Sequence, residues 1–265
     1  MKKLAALILL LVALLGGVAF YQHRASTTTG GTTAPLTVYC AASLKKSVET
    51  IAGQYRQDTG TEVRLQFGGS GTLLSSLRVA RQGDLYLPVD EGSVDDARQA
   101  GVVREVFAIA VQRPVIVVRK GNPKDIHTLD DLLRDDVKTA LANPEAASIS
   151  RVSRQALGEK WNQLATHATV MKPTVTEVAA DVNLGTVDAG IIWDTVTAQF
   201  QDTQAIEVAE LSGIHENASA CVLTFSKQPD AALRFAHYLT APDKGGTVFQ
   251  ANGFTPAGGE KWAAQ

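Results

Sequence analysis

Two short segments near the start of the sequence place one serine where a strand is expected to pass into a helix. They are residues 39–44 (YCAASL) and residues 67–73 (FGGSGTL). In each segment an apolar strand runs into small residues and a serine, and an amphipathic helix follows. A hydroxyl and free backbone N–H groups then meet at a helix N-terminus, where the helix dipole is positive. Such a site holds an anion without a formal positive charge. The sequence therefore predicts a small-oxyanion site around Ser43 and Ser70.

The composition narrows the classes of function. The chain has 265 residues, of which 45% are apolar and 20% are charged, as in an ordinary folded protein. The formal net charge is −2, and no basic stretch of the kind that binds nucleic acid is present. An anion must therefore be bound by hydrogen bonds and dipoles. The histidines are scattered singly, which predicts neither a metal site nor a catalytic triad.

The first 35 residues are typical of an export segment followed by a tether. A basic start, Met1 to Lys3, precedes an apolar run at residues 4–20. This run fits a cleaved signal peptide or an uncleaved membrane anchor, and without a clean cleavage site both alternatives stay open. Residues 26–35 (STTTGGTTAP) are rich in threonine and poor in apolar residues, which predicts a flexible tether. We expect the functional part to begin near Leu36, in the periplasm or another extracytoplasmic compartment. An uncleaved apolar run would anchor it to the cytoplasmic membrane.

The two cysteines, Cys40 and Cys221, allow two interpretations. An exported protein could join them in a disulfide. Alternatively, both are buried thiols that act as small apolar residues. Sequence spacing does not decide between these, because a disulfide depends on geometry.

From Leu36 onward strands and helices alternate, which predicts an α/β protein with largely parallel sheets. The long apolar stretch at residues 106–118 is interrupted by Pro114, and we expect it to leave one sheet and enter another. The strand-like residues 218–225 would carry the chain back. The prediction is a lobe I of residues 36–113 and 216–265, and a lobe II of residues 114–215. Two crossover strands join the lobes, and a ligand cleft lies between them.

Several segments, in this order along the chain, carry a resemblance to a known family. They are residues 36–44 (LTVYCAASL), 67–73 (FGGSGTL), 83–90 (GDLYLPVD), 142–145 (ANPE), 185–193 (GTVDAGIIW) and 252–254 (NGF). The set resembles the periplasmic molybdate-binding proteins of ABC transporters, which are two-lobed solute-binding proteins. The resemblance implies the type II periplasmic-binding-protein fold.

The resemblance also implies a set of ligand-binding residues. In that family, serine hydroxyls and backbone N–H groups hold a dehydrated tetrahedral oxyanion. Ser43 and Ser70 match the hydroxyl ligands, and Ile149 and Val175 match the positions that supply N–H groups. Ile149 stands where the family usually has a small residue, so a bulkier wall is expected. Trp193 stands where a tyrosine usually completes the shell, and an indole N–H donates but cannot accept.

The function implied by the resemblance is capture of molybdate, or tungstate, for an ABC importer. The protein would be a monomer without a cofactor, its partners being the oxyanion and a membrane permease. The same fold could instead bind sulfate, phosphate or a metal chelate, an alternative that Trp193 and Ile149 favour. A membrane-anchored ligand sensor is a further alternative, suited to the tether. An enzyme is the weakest reading, because no histidine or lysine lies at motif spacing to activate Ser43 or Ser70.

Overall fold

The computed structural model describes residues 34–263, so all but the last two residues of the export segment and tether predicted at residues 1–35 lie outside the described residues. Strands and helices alternate along this range, as predicted. The strands are β1 (Leu36–Ala41), β2 (Val63–Gly68), β3 (Leu85–Leu87), β4 (Val103–Gln112), β5 (Pro114–Arg119), β6 (Thr139–Ala142), β7 (Val170–Lys172), β8 (Ala189–Trp193), β9 (Thr203–Ile206), β10 (Glu216–Leu223) and β11 (Thr255–Pro256).

The helices connect these strands on both faces of the sheets. They are α1 (Lys45–Thr59), α2 (Ser70–Ala80), α3 (Glu91–Gln99), α4 (Ser148–Leu157), α5 (Glu159–His167), α6 (Val175–Leu184), α7 (Asp194–Thr197), α8 (Ala209–Ser212), α9 (Pro229–Thr240) and α10 (Gly245–Ala251), with short 3₁₀ turns at Ala42–Leu44 and Asp130–Leu133. Within residues 34–263, no helix has the length and apolar character needed to cross a bilayer.

The strands form two separate sheets. The six-stranded sheet has the order β11-β4-β10-β3-β1-β2, and the five-stranded sheet has the order β7-β6-β8-β5-β9. In the first sheet β1 runs parallel to β2 and β3, whereas β10 is antiparallel to β3 and β4. In the second sheet β6 runs parallel to β7 and β8, and β5 is antiparallel to β8 and β9. The α/β class is the predicted one, but the expectation of largely parallel sheets was wrong. Five of the nine strand pairings in the described residues are antiparallel, because the strands that connect the two sheets, β4, β5 and β10, run against their neighbours.

The chain passes between the sheets twice. The apolar stretch around Pro114 is two strands in different sheets, β4 and β5, with Arg113 between them. Pro114 opens β5, a position where its missing N–H is tolerated. The chain returns through α8 into β10, which begins at Glu216 rather than at the expected residue 218.

We use lobe I for the six-stranded sheet with its helices and lobe II for the five-stranded sheet with its helices. The exact domain boundaries, at 113/114 and 215/216, stay a prediction.

Amphipathic helices build the core of each lobe. In α1 the buried side chains include Val48, Ile51 and Tyr55, which recur at helical spacing and pack against the sheet. Gly60, in the left-handed region with φ of 75°, ends this helix. Pro229 opens α9 in its first turn, as its fixed φ favours.

The sheet register separates the two cysteines. Tyr39 and Cys221 both pair with Tyr86 of β3, so these three side chains share one face of the sheet. Cys40 follows Tyr39 and therefore faces the other side. Both cysteines are buried free thiols. Burial raises the pKa of Cys221 to about 12 and holds the pKa of Cys40 well above its usual value. The structure therefore agrees with the second interpretation, in which both cysteines are buried free thiols.

Candidate functional site

One small cavity between the lobes brings together four of the five predicted site residues: Ser43, Ser70, Val175 and Trp193. The rest of its lining is small or apolar, with Ala41, Ala42, Gly68, Gly69, Val89, Ala147, Ser148 and Thr174. Its volume is about 10 Å³, roughly the space that one water molecule needs. No residue among these described lining positions is charged. Hydrogen bonds and dipoles are therefore the means by which this cavity can hold an anion.

The two serine hydroxyls on the cavity have no partner among the described residues. Ser43 lies in the 3₁₀ turn after β1, and Ser70 is the first residue of α2 after β2. Their side chains are buried, and neither Oγ atom makes a hydrogen bond within residues 34–263. By contrast, the exposed Ser75 of the same helix donates to Gly71 O at 3.0 Å. An unpaired buried hydroxyl costs on the order of 1–3 kcal/mol, which a ligand oxygen would relieve.

Hydrogen bonds fix the backbone of both serines. The buried Tyr86 hydroxyl donates to Ser70 O at 2.8 Å. Burial, with a smaller contribution from the Asp90 carboxylate, raises the pKa of Tyr86, so its phenol stays a donor at neutral pH. Gln199 of lobe II donates from Nε2 to Ser43 O at 2.9 Å. The second bond crosses the cleft and ties the position of Ser43 to lobe II.

Helix N-termini converge on the cavity from both lobes. The residues before α2 and α4 are Gly69 and Ala147, and in the described structure neither offers a side-chain cap to the first turn. The first-turn N–H groups of a helix lack intrahelical acceptors. At α6 the preceding Thr174 accepts from Glu177 N at 3.3 Å, so one N–H of that turn is already used. At α2 the N–H groups of Gly71 and Thr72 donate to Ala146 O at 3.0 and 3.4 Å, so the first turn of α4 is the end that offers free N–H groups to an anion.

Ile149 is the predicted residue that does not line the cavity. It is the second residue of α4, and its side chain is fully buried in the hydrophobic core. Ala147 and Ser148 occupy the wall instead. The expectation of a bulkier wall was therefore wrong, because the Ile149 side chain points into lobe II. Its backbone N–H belongs to the first turn of α4, so its role as a donor stays a prediction.

Two residues on the cavity wall, Ser148 and Thr174, were missed by the sequence reasoning. Thr174 could have been found, since Thr174 and Glu177 have the spacing of a capping box at a helix start. The Thr174 hydroxyl also donates to Glu177 Oε2 at 2.7 Å. Ser148 carried no comparable signal, because serine is common in first turns for structural reasons.

Two glycines allow the lobes to meet beside the cavity. A side chain at Gly69 would collide with the backbone oxygen of Ala146, and one at Gly71 with that of Glu145. Gly71 N donates to Ala146 O at 3.0 Å. The start of α2 in lobe I thus touches the loop before α4 in lobe II directly, backbone to backbone. A side chain at either glycine would hold the lobes apart.

Residues 36–255 match the model of the family described as bacterial extracellular solute-binding protein. The molybdate-binding protein ModA of Mycobacterium tuberculosis is 27% identical over 225 residues, covering 83% of this chain and 84% of that protein. Among solved structures, the periplasmic molybdate-binding protein of Azotobacter vinelandii has a TM-score of 0.68 at 17% identity, covering 83% of this chain and 98% of that one. The sulfate-binding protein SubI of M. tuberculosis has a TM-score of 0.74 at 17% identity, covering 85% and 88%.

These structural neighbours share the two-lobed periplasmic-binding fold. The family model spans most of the sequence, including every residue that lines the cavity. Members of this family bind a solute rather than transform it, and the solute is a transported ligand rather than a cofactor. The chain belongs to the bacterial extracellular solute-binding proteins.

Proposed function

We propose that this chain binds a small tetrahedral oxyanion, molybdate with tungstate as its near equivalent, and delivers it as a monomer to the permease of an ABC importer. The observation that carries the proposal is the pair of buried hydroxyls of Ser43 and Ser70. They lack partners among the described residues and share one cavity that has no charged lining residue. The oxygens of an oxyanion would accept from both. The name and coverage of the M. tuberculosis relative support molybdate as the ligand.

Each lobe supplies part of the proposed ligand shell. Lobe I contributes the hydroxyls of Ser43 and Ser70. Lobe II contributes the first-turn N–H groups of Ile149 and Val175 and the indole N–H of Trp193. Neither part encloses an anion alone, so the ligand binds while the lobes are apart and their closure completes the shell. The closed form is the one that docks on the permease.

The size of the cavity favours an inorganic anion. Its volume of about 10 Å³ requires the lobes to separate slightly for a five-atom oxyanion. A metal chelate or an organic solute would require an opening that breaks the contacts at Gly69 and Gly71. Those contacts are backbone to backbone, so a slight separation of the lobes lengthens them and a large one breaks them. The geometry therefore supports an oxyanion over a chelate.

The chemistry of the wall disfavours an anion that keeps a proton. Backbone N–H groups and the indole of Trp193 are donors that cannot accept. No carboxylate lies among the described lining residues. A phosphate that carries a proton near neutral pH would place its O–H against these donors, and an unmet hydrogen bond costs about 1–3 kcal/mol. Molybdate and sulfate are fully deprotonated there and avoid this cost.

Sulfate is the second candidate, because Trp193 replaces the tyrosine expected in a molybdate shell and SubI shares the fold. Sulfate is smaller than molybdate, so the separation of the donors decides between them. Titration calorimetry on the full chain in mild detergent, with molybdate, tungstate, sulfate and phosphate separately, tests the proposal. We expect tight binding of molybdate and tungstate only. Binding of sulfate alone would replace the ligand, and the absence of heat with all four anions would refute the oxyanion site.

A further inference from the structure

A charged contact outside the cavity also joins the two lobes. Arg151 of α4 reaches across the cleft to α3 of lobe I. Its Nη1 pairs with Asp96 Oδ2 at 2.6 Å, and its Nη2 donates to Ser93 Oγ at 2.7 Å and contacts Asp90 Oδ1. The Arg151 side chain is only 28% exposed. One guanidinium thus holds three side chains of the opposite lobe.

The carboxylate of Asp90 is the unusual member of this contact. Its side chain is 1% exposed, and Oδ1 accepts from Ser93 N at 2.8 Å as the cap of α3. Its other oxygen, Oδ2, is buried without a hydrogen-bond partner in the described part of the chain. Asp90 follows Val89, which lines the anion cavity. A buried carboxylate in that position repels an anion unless a cation neutralises it.

Arg151 and part of the cavity wall belong to the same helix. Ser148, which lines the cavity, and Arg151 lie one turn apart on α4. A movement that brings the first turn of α4 onto the ligand therefore brings Arg151 onto Asp90 and Asp96. A movement that opens the cleft removes the cation from Asp90 at the same moment.

We propose that Arg151 is a positioning residue that latches the lobes and makes their closure favourable for anion binding. It bridges Asp90 and Asp96 only when the lobes meet, and it cancels the carboxylate beside the cavity. The nature of the ligand in this inference rests on the proposed function, whereas the latch between the lobes does not.

The chain offers a matched control on the same helix. Arg154 lies one turn beyond Arg151 and pairs with Glu145 at 3.2 Å, within lobe II. Substitution of Arg154→Gln removes the same charge from the same helix, but the ion pair that it breaks lies within lobe II. Arg151→Gln removes the latch, and Arg151→Lys keeps the charge but cannot bridge two carboxylates in the same way.

The test measures lobe separation and anion affinity in the full chain. Spin labels at Val79→Cys on α2 and Gln155→Cys on α4, both exposed positions, report the distance across the cleft by double electron–electron resonance. The native thiols are buried and stay unlabelled. Circular dichroism checks that each variant is folded. Calorimetry with molybdate gives the affinity.

We expect Arg151→Gln to shift the distance distribution to longer values and to weaken molybdate binding by about tenfold to a hundredfold. Arg151→Lys should lie between Arg151→Gln and the wild type, and Arg154→Gln should stay within about twofold of the wild type. The proposed latch would be wrong if Arg151→Gln and Arg154→Gln gave the same inter-lobe distances and the same affinities. If neither the wild type nor any variant binds an anion, the proposed function fails. The inter-lobe distances measured without ligand in the wild type and the variants still test whether Arg151 holds the lobes together.

Discussion

Removal of the Ser70 hydroxyl is expected to lower the affinity for the ligand without lowering the stability of the protein. Ser70 Oγ is buried and has no hydrogen-bond partner among the described residues. Ser70→Ala therefore deletes a group that costs on the order of 1–3 kcal/mol in the ligand-free protein. We expect the free energy of unfolding to stay constant or to rise. A serine that merely capped its helix would give the reverse, because loss of such a cap lowers stability by about 0.5–2 kcal/mol.

The loss of affinity follows from the same hydroxyl. A hydrogen bond to a charged group contributes about 1.5–3 kcal/mol, which corresponds to a factor of about 10 to 150 in the dissociation constant. Ser70→Ala should therefore weaken molybdate binding within that range. Calorimetry gives the dissociation constant, and urea unfolding without ligand gives the stability.

Ser75→Ala is the matched control for this experiment. Ser75 lies on the same helix, but its hydroxyl is exposed and donates to Gly71 O, so its removal should change the affinity by less than about twofold. A Ser70→Ala protein that is less stable and binds molybdate as tightly as the wild type would refute the reasoning. Ser70 would then be a structural residue, and the unpaired hydroxyl would carry no functional meaning.

Three further variants or conditions probe the site and the core. Gly69→Ala should weaken molybdate binding by more than about tenfold in calorimetry, because its Cβ would strike Ala146 O across the cleft. Trp193→Tyr keeps a donor on the wall and should retain molybdate binding within about tenfold, measured in the same assay. The thiols of Cys40 and Cys221 have raised pKa values, so they favour folding below pH of about 9. Stability in urea should fall as the pH rises from there toward 12, because the unfolded thiols ionise first. A thiol reagent should modify neither cysteine in the native protein at pH 8.

The parts of the site that the sequence predicts are those fixed by local patterns. Ser43 and Ser70 lie where an apolar strand gives way to small residues and a helical stripe begins, and this junction depends on neighbouring residues alone. Val175, at the start of α6, was instead implied by the family resemblance and not by a local pattern. The change of sheet at Pro114 could also be predicted, since the apolar stretch around it is too long for one strand.

The remaining features depend on how distant segments meet. Gln199 and Ser43 are 156 residues apart and touch only because the lobes are in contact. The pairing of Arg151 with Asp90 has the same origin, and no local pattern contains it. The direction of the Ile149 side chain also escaped prediction, because adjacent residues on a helix differ in direction by about 100°. The packing of α4 against the rest of lobe II determines which of its residues face the cavity.

The contacts between the lobes are expected to affect the selectivity for an anion as well as the affinity. A closed ring of donors fits one oxyanion radius, and a smaller anion leaves some donors unpaired at about 1–3 kcal/mol each. The separation of those donors is set where the lobes touch, at the backbone contacts of Gly69 and Gly71 and at the bridge from Arg151 to Asp90. On the proposed function, selectivity between molybdate and sulfate is expected to depend on residues outside the cavity lining as well as on those that line it. A substitution that lets the lobes stop slightly apart should weaken discrimination by size even when Ser43 and Ser70 are intact.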